Sequence, residues 1–337
     1  MSKLKLVGMK DVADPRKLIA MQTICTLALV GAISLAHSQP YPAKPIRIIV
    51  PSAPGVGTDL LARGAAQHLG AKLGQAVVVE NRIGADGAIG MEACARAAPD
   101  GYTICSAASN VLSFNIVLKP DLPYNAKSFT TVIHMGYFDS SLMVNAALPI
   151  KTLAELLDYS RTPAGPFTWA TFDSVGTGFL YMRWLQQNRS AGLLHVPYKA
   201  PPQMLQAVIT GEANGGIYAI GQLGAQIKSG KVRVLAVTSE ERHPLAPDVP
   251  TFAELGIKLP LRSWYGTVVP AGTPREIVAR LNTELNAALN DAEWRAKFVT
   301  SAGIIPSGGT AEQFAAFLDR DREAFAGLIK SLGVKAP

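Results

Sequence analysis

A two-lobed α/β fold is what this sequence predicts, on three observations. Apolar strand runs alternate with amphipathic helix runs from Pro45 onward, and the same rhythm returns after Phe167. Thirty Gly and 23 Pro in 337 residues, with only 7% aromatics, mark many short loops between elements. No period of solenoid or propeller length repeats, and 48% hydrophobic with 17% charged residues excludes a disordered or fibrous chain.

The elements follow in order. Ile46–Val50 reads as a strand, Leu60–Leu73 as a helix, Ala76–Val79 as a strand, Ile89–Ala98 as a helix and Tyr102–Ser106 as a strand. A parallel or mixed sheet with helices on both faces accommodates that βαβαβ run. The second series is Phe167–Thr171, a helix over 177–187, Leu193–Val196, a helix over 202–210, and Val232–Thr238. The last quarter reads as helical. Thr273-Pro274-Arg275-Glu276 has a capping hydroxyl, Pro at the first helical position and Glu three residues on, and Thr310 with Gln313 forms a second capping-box pattern.

Two features precede the fold. Arg16-Lys17, the mostly apolar run Leu18–Ala36 and Ala36-His37-Ser38 have the order of a secretory signal peptide over residues 1–38, which predicts export. A membrane anchor is the alternative, disfavoured by Gln22, Thr23, Thr26 and Ser34 within the run. The net charge of +7 falls to about +4 without this segment and holds no basic block, so no nucleic-acid partner is expected. Past the leader, Cys94 and Cys105 read as small buried hydrophobes more readily than as a disulfide.

No catalytic or metal pattern emerges. His68, His134, His195 and His243 are scattered without a HExxH or Cys-His cluster, there is no GxSxG, and the sequence implies no metal and no cofactor. Carboxylates near loops, such as Glu80, Asp86 and Asp173, are not singled out as a pair by spacing. The informative segment is Pro51-Ser-Ala-Pro-Gly-Val-Gly-Thr-Asp59, between a strand and a helix. Its glycines admit a ligand close to the backbone, and the helix start with Thr58 attracts an anion. A third Rossmann glycine is replaced by Leu60 and no P-loop lysine follows, so a carboxylate fits better than a nucleotide phosphate. Asp173-Ser-Val-Gly-Thr-Gly178 and Ser106-Ala-Ala-Ser-Asn110 are further anion-friendly stretches at strand ends.

Several blocks together resemble the solute receptors of the tripartite tricarboxylate transporters, also called Bug receptors. They are Tyr41-Pro-Ala-Lys-Pro-Ile-Arg-Ile-Ile-Val-Pro51, Gly55-Val-Gly-Thr-Asp59, Val77-Val-Val-Glu-Asn-Arg82, Ala98-Pro-Asp-Gly-Tyr-Thr103 and His195-Val-Pro-Tyr-Lys199, with Leu235–Ser239, Pro247–Thr251 and Pro270–Pro274 beyond them. The resemblance implies a type II periplasmic binding-protein fold, with residues 39–137 plus 260–337 as one domain, 138–259 as the other, crossing strands between and a ligand cleft. It implies a monomeric, non-enzymatic periplasmic receptor that passes a small carboxylate to membrane permease subunits. The alternatives are an orphan sensor docking on a membrane signalling partner, and an exported α/β enzyme. Carried over by motif, the binding residues are Ser52, Gly55, Gly57, Thr58 and Asp59, with Ser109 and Asn110, from the first lobe. Ser174, Gly176, Thr177 and Tyr198 come from the second.

The resemblance implies an acidic residue where Asn214 stands and another near Tyr218, and a polar residue or His where Phe179 stands, whereas this chain has Asn214-Gly215-Gly216-Ile217-Tyr218 and Phe179. These departures predict a ligand without an ammonium group and with an apolar or aromatic body.

Overall fold

The computed structural model describes residues 41–162, 166–172 and 175–334. The predicted leader with Cys25, and Asp173 and Ser174 of the second loop, therefore lie outside the described residues. Two mixed sheets organise the chain from Lys44 onward. The first holds β1 (Ile46–Val50), β2 (Val77–Asn81), β3 (Thr103–Ala108), β4 (Phe129–Phe138), β10 (Trp264–Pro270) and β11 (Ile304–Pro306), in the order β11-β4-β10-β3-β1-β2. The second holds β5 (Ser140–Asn145), β6 (Phe167–Thr171), β7 (Leu193–Pro197), β8 (Gly215–Ala219) and β9 (Val232–Val237), in the order β7-β6-β8-β5-β9. β1 runs parallel to β2 and β3, and β6 parallel to β7 and β8, as βαβ connections require. β10 pairs antiparallel with β3 and β4, and β5 antiparallel with β8 and β9, which makes both sheets mixed.

The helices are α1 (Gly57–Leu73), α2 (Ala88–Ala95), α3 (Asn115–Leu118), α4 (Leu153–Tyr159), α5 (Thr177–Arg189), α6 (Pro201–Thr210), α7 (Gly224–Lys228), α8 (Arg275–Asn290), α9 (Ala292–Phe298) and α10 (Ala311–Ser331). A π-helical turn, Asn110–Phe114, joins β3 to α3. The central parallel strands are largely buried on both faces, so they read as mostly apolar or small-residue runs, interrupted in β1 by Arg47 and in β6 by Thr168, each half-buried. One core packs Ile49, Met91, Cys105, Val111, Trp264 and Phe314 about the first sheet. Another gathers Leu142, Phe167, Trp169, Leu180 and Phe252 about the second, and the end of α10 joins it through Phe325 and Leu328.

Three expectations are corrected. Cys94 on α2 and Cys105 on β3 are joined in a disulfide, their Cα atoms 6.2 Å apart, because the helix packs directly over the strand. Thr273 does not cap α8: Pro274 takes the N-cap position with ψ 138°, and the Thr273 hydroxyl donates instead to the Pro270 carbonyl at 2.7 Å. The last quarter is not purely helical, since β10 enters the centre of the first sheet and β11 its edge. The second capping box forms as read: Gln313 N–H donates to Thr310 Oγ1 at 3.2 Å, and Thr310 N–H to Gln313 Oε1 at 2.8 Å.

The chain crosses between the sheets at two neighbouring places. A single residue, Asp139, separates β4 of the first sheet from β5 of the second, and the return from β9 reaches β10 through Arg262-Ser263. Arg262 donates through Nε and Nη2 to the two Asp139 oxygens at 2.9 and 3.1 Å, and its guanidinium lies 3.8 Å from the Tyr137 ring centroid. The Asp139 side chain has no solvent exposure. Ile220 N–H donates to the Asp139 carbonyl and Phe138 N–H to the Ser263 carbonyl, both at 3.1 Å, so the crossing is held by main chain as well.

Removing one partner strands a buried charge. We expect Arg262→Ala to lower unfolding free energy by about 3–5 kcal/mol in urea titration, several times the loss from Arg242→Ala, whose ion pair with Glu254 is exposed.

Candidate functional site

The parallel strands of both sheets end on a common cavity of about 390 Å³. From the first sheet it is lined by Pro51, Ser52, Val56, Gly57 and Thr58 after β1, and by Ala108, Ser109 and Asn110 after β3. The second contributes Phe172 and Val175–Gly178 after β6, and Ile217–Ala219 of β8. The crossing supplies Phe138, Ser140, Ser263 and Tyr265.

The two main helices begin at this wall. α1 starts after Val56 and α5 after Gly176, and among the described residues no side chain caps either one. The first intrahelical bonds are Leu60 N–H to the Val56 carbonyl and Leu180 N–H to the Gly176 carbonyl. The N–H groups of 57–59 and 177–179 thus precede each ladder, at the positive ends of helices 17 and 13 residues long. Hydroxyls gather beside them. Ser52 Oγ and Thr58 Oγ1 lie 2.5 Å apart, and Thr177 Oγ1 and Ser263 Oγ 3.3 Å apart.

The β1–α1 loop is shaped by Asp59. Its carboxylate accepts from Gly55 N–H at 2.8 Å, Arg63 Nε at 2.8 Å and Asn81 Nδ2 at 2.9 Å, while Asn81 also donates to the Ser52 carbonyl. Burial alone would raise this carboxyl, but Arg63, the Gly55 amide and Asn81 outweigh it and hold it below the ordinary value. Gly55 takes φ +85°, which folds the loop back onto Asp59. A Cβ on Gly57 would sit 2.5 Å from the Tyr265 hydroxyl, so only glycine lets that ring reach the start of α1.

Residues 61–334 match the model of the tripartite tricarboxylate transporter family receptor. The chain belongs to this family. Protein BugT of Bordetella pertussis is 32% identical over 312 residues, covering 92% of this chain and 95% of that one. Among solved structures, the periplasmic binding protein BugD aligns with TM-score 0.75 and 29% identity, covering 88% of this chain and 99% of its own. An R. palustris protein solved with adipate aligns with TM-score 0.78 and 28% identity, covering 87% of this chain and 98% of its own. The fold is therefore that of the periplasmic binding proteins, and family and neighbours are solute receptors rather than enzymes.

Within this receptor the residues read from sequence separate into groups. Ser52, Gly57, Thr58, Ser109, Asn110, Gly176 and Thr177 line the cavity. Gly55 and Asp59 are not among its walls but brace the loop from behind. Tyr198 is not a wall residue either, because its hydroxyl donates to Glu212 at 3.0 Å. Ser174 lies outside the described residues.

Of the three departures, only Tyr218 lines the cavity. Asn214 Oδ1 accepts from the Thr168 amide and hydroxyl at 2.7 and 2.8 Å, which ties β8 to β6. Phe179 packs its ring against His195, centroids 5.2 Å apart, and joins the core of the second sheet. The charge argument therefore loses Asn214, whose side chain hydrogen-bonds between the strands, and keeps Tyr218, while the aromatic argument loses Phe179, which packs in the core.

Sequence reasoning missed Tyr265, Phe138, Ser263, Phe172 and Lys119. The alternation in Ser263–Pro270 is a usable strand signal for the first of these, but contact between β10 and α1 is a tertiary fact.

Asp59→Asn removes charge-assisted bonds from the loop. We expect a loss of about 1–3 kcal/mol at neutral pH in chemical denaturation. Because the folded carboxyl titrates below its ordinary 3.8, its contribution is present above that pH and is lost as pH falls through the folded value. The gap between wild type and variant should accordingly begin to close as pH falls below 3.8.

Proposed function

We propose that this chain is a periplasmic receptor that captures a small carboxylate and delivers it to the permease subunits of a tripartite tricarboxylate-type transporter. The observation carrying this reading is that two uncapped helix N-termini, one from each sheet's βα connection, line one cavity beside paired hydroxyls. Such an end attracts a single delocalised anion without lysine, arginine or metal. The bound adipate of the R. palustris neighbour supports a carboxylate ligand. Ser52, Gly57 and Thr58 hold the anion from one side and Gly176 and Thr177 from the other, with Ser109 and Asn110 along the rim. Gly55 and Asp59 support the loop without touching the ligand, and Ser174 joins the second-sheet loop. Closure of one lobe on the other about the Asp139–Arg262 crossing, with lobes near 39–137 plus 260–337 and 138–259, would signal occupancy. Export by the leader of residues 1–38 places the receptor in the periplasm, as a monomer.

The test is a thermal-shift and calorimetric screen of mono-, di- and tricarboxylates, amino acids, sugars and nucleotides. The melting temperature is expected to rise with acid concentration, as linkage demands, and not with sugars or nucleotides. Thr58→Val should weaken binding of the best acid by about 1–2 kcal/mol, through loss of a hydroxyl partner. Stabilisation by sugars or nucleotides alone would overturn the carboxylate reading.

A further inference from the structure

The carboxylate end leaves most of the cavity unassigned, and its remaining wall has a definite chemistry. Phe138 and Tyr265 stack with centroids 4.7 Å apart and planes 15° apart, and both line the cavity. Tyr218 of β8 lines it from the second sheet, and Phe172, beyond the end of β6, lines it while 41% exposed. An exposed phenylalanine on a cavity wall offers apolar area that a ligand would remove from water.

Charge on the same wall is scarce. Among the described lining residues, Lys119 is the one cation and Asp86 the one anion. They are paired with each other, Nζ to Oδ2 at 2.7 Å. The Asp86 main chain is fixed where it can do this: its carbonyl accepts from Asn115 Nδ2 at 3.0 Å and Asn110 Nδ2 at 3.4 Å. The cation that would receive a second carboxylate is thus already paired, and Asp86, its side chain 72% exposed at the cavity's rim, would meet an entering dianion as a like charge partly screened by water.

We infer that the ligand is an aromatic monocarboxylate, its single charge at the two helix N-termini and its ring against Phe138, Tyr265, Tyr218 and Phe172, and that Asp86 is the residue that excludes diacids. This rests on the carboxylate reading above and narrows it. Offset or edge-on contact with several rings favours an aromatic body over an aliphatic one of similar area. The paired Lys119 makes one negative charge the best match.

The test is calorimetry with four probes, phenylacetate, benzoate, hexanoate and adipate, on wild type, Asp86→Asn and Phe172→Ala. Wild type should bind the better ring acid at least about tenfold more tightly than adipate. Asp86→Asn frees Lys119, so the ratio of adipate to phenylacetate affinity should rise severalfold. Phe172→Ala should lower the ratio of phenylacetate to hexanoate affinity severalfold. The inference is overturned if wild type prefers adipate, or if Asp86→Asn leaves the adipate-to-phenylacetate ratio where it was. In that case the carboxylate reading stands and only the ring and single-charge assignment fails. If none of the four acids binds while a non-acid does, the carboxylate reading itself has failed and this inference falls with it.

Discussion

The bidentate pair between Asp139 and Arg262 is the constraint on which the rest of the molecule depends. With one residue between β4 and β5, the chain has no slack with which to choose where the second sheet lies relative to the first. Asp139 carries a charge that water does not reach, and Arg262 answers it from the returning segment two residues before β10. A buried ion pair of this kind adds little over an apolar pair of the same volume, but its loss from one side is costly, so it specifies geometry more than it adds stability. Phe138, Ser140 and Ser263, the immediate neighbours of the pair, are all cavity walls.

The site follows from that crossing and from the direction of the strands. Parallel strands feed helices at their carboxyl ends, so the loops after β1 and β6 place α1 and α5 with their N-termini toward the same space. Among the described residues neither helix has a side-chain cap, so its first N–H groups precede the intrahelical ladder at the cavity wall. The supports stand behind the wall. Asp59 gathers Gly55, Arg63 and Asn81, and Ser106 Oγ donates to the Thr58 carbonyl at 3.2 Å, so the loop and the first turn of α1 are held by the protein's own contacts. Such preorganisation would reduce the ordering cost of binding.

Local signals in the chain predicted the parts that are locally determined. Ile46–Val50 and Phe167–Thr171 fall where the sequence places them, because each is apolar over most of its length and largely buried, with one half-buried polar residue, Arg47 or Thr168, at its second position. Thr310 with Gln313 caps α10 because that box needs only four residues. The same signature at Thr273 failed where a nearby carbonyl, that of Pro270, competed for the hydroxyl. Asp59 looked like a ligand contact because it sits in the loop, yet three donors behind the loop claim it. Tyr198 was drawn away by Glu212, 14 residues on. Tyr265, Phe138 and Lys119 were not legible as site residues, since only the antiparallel entry of β10 between β3 and β4, and the π-helical turn before α3, bring them to the cavity. The disulfide belongs to the same class, because α2 must lie on β3 before the two sulfurs can meet.

The most direct measurement of the central claim is a crystal structure of the receptor with its tightest-binding acid. Two helix N-termini sharing one anion require a carboxylate oxygen at about 2.7–3.2 Å from main-chain N–H groups of both the Gly57–Asp59 and the Thr177–Phe179 turns. A carboxylate seated instead on Lys119, with both helix starts facing only solvent or the apolar end of the ligand, would contradict it.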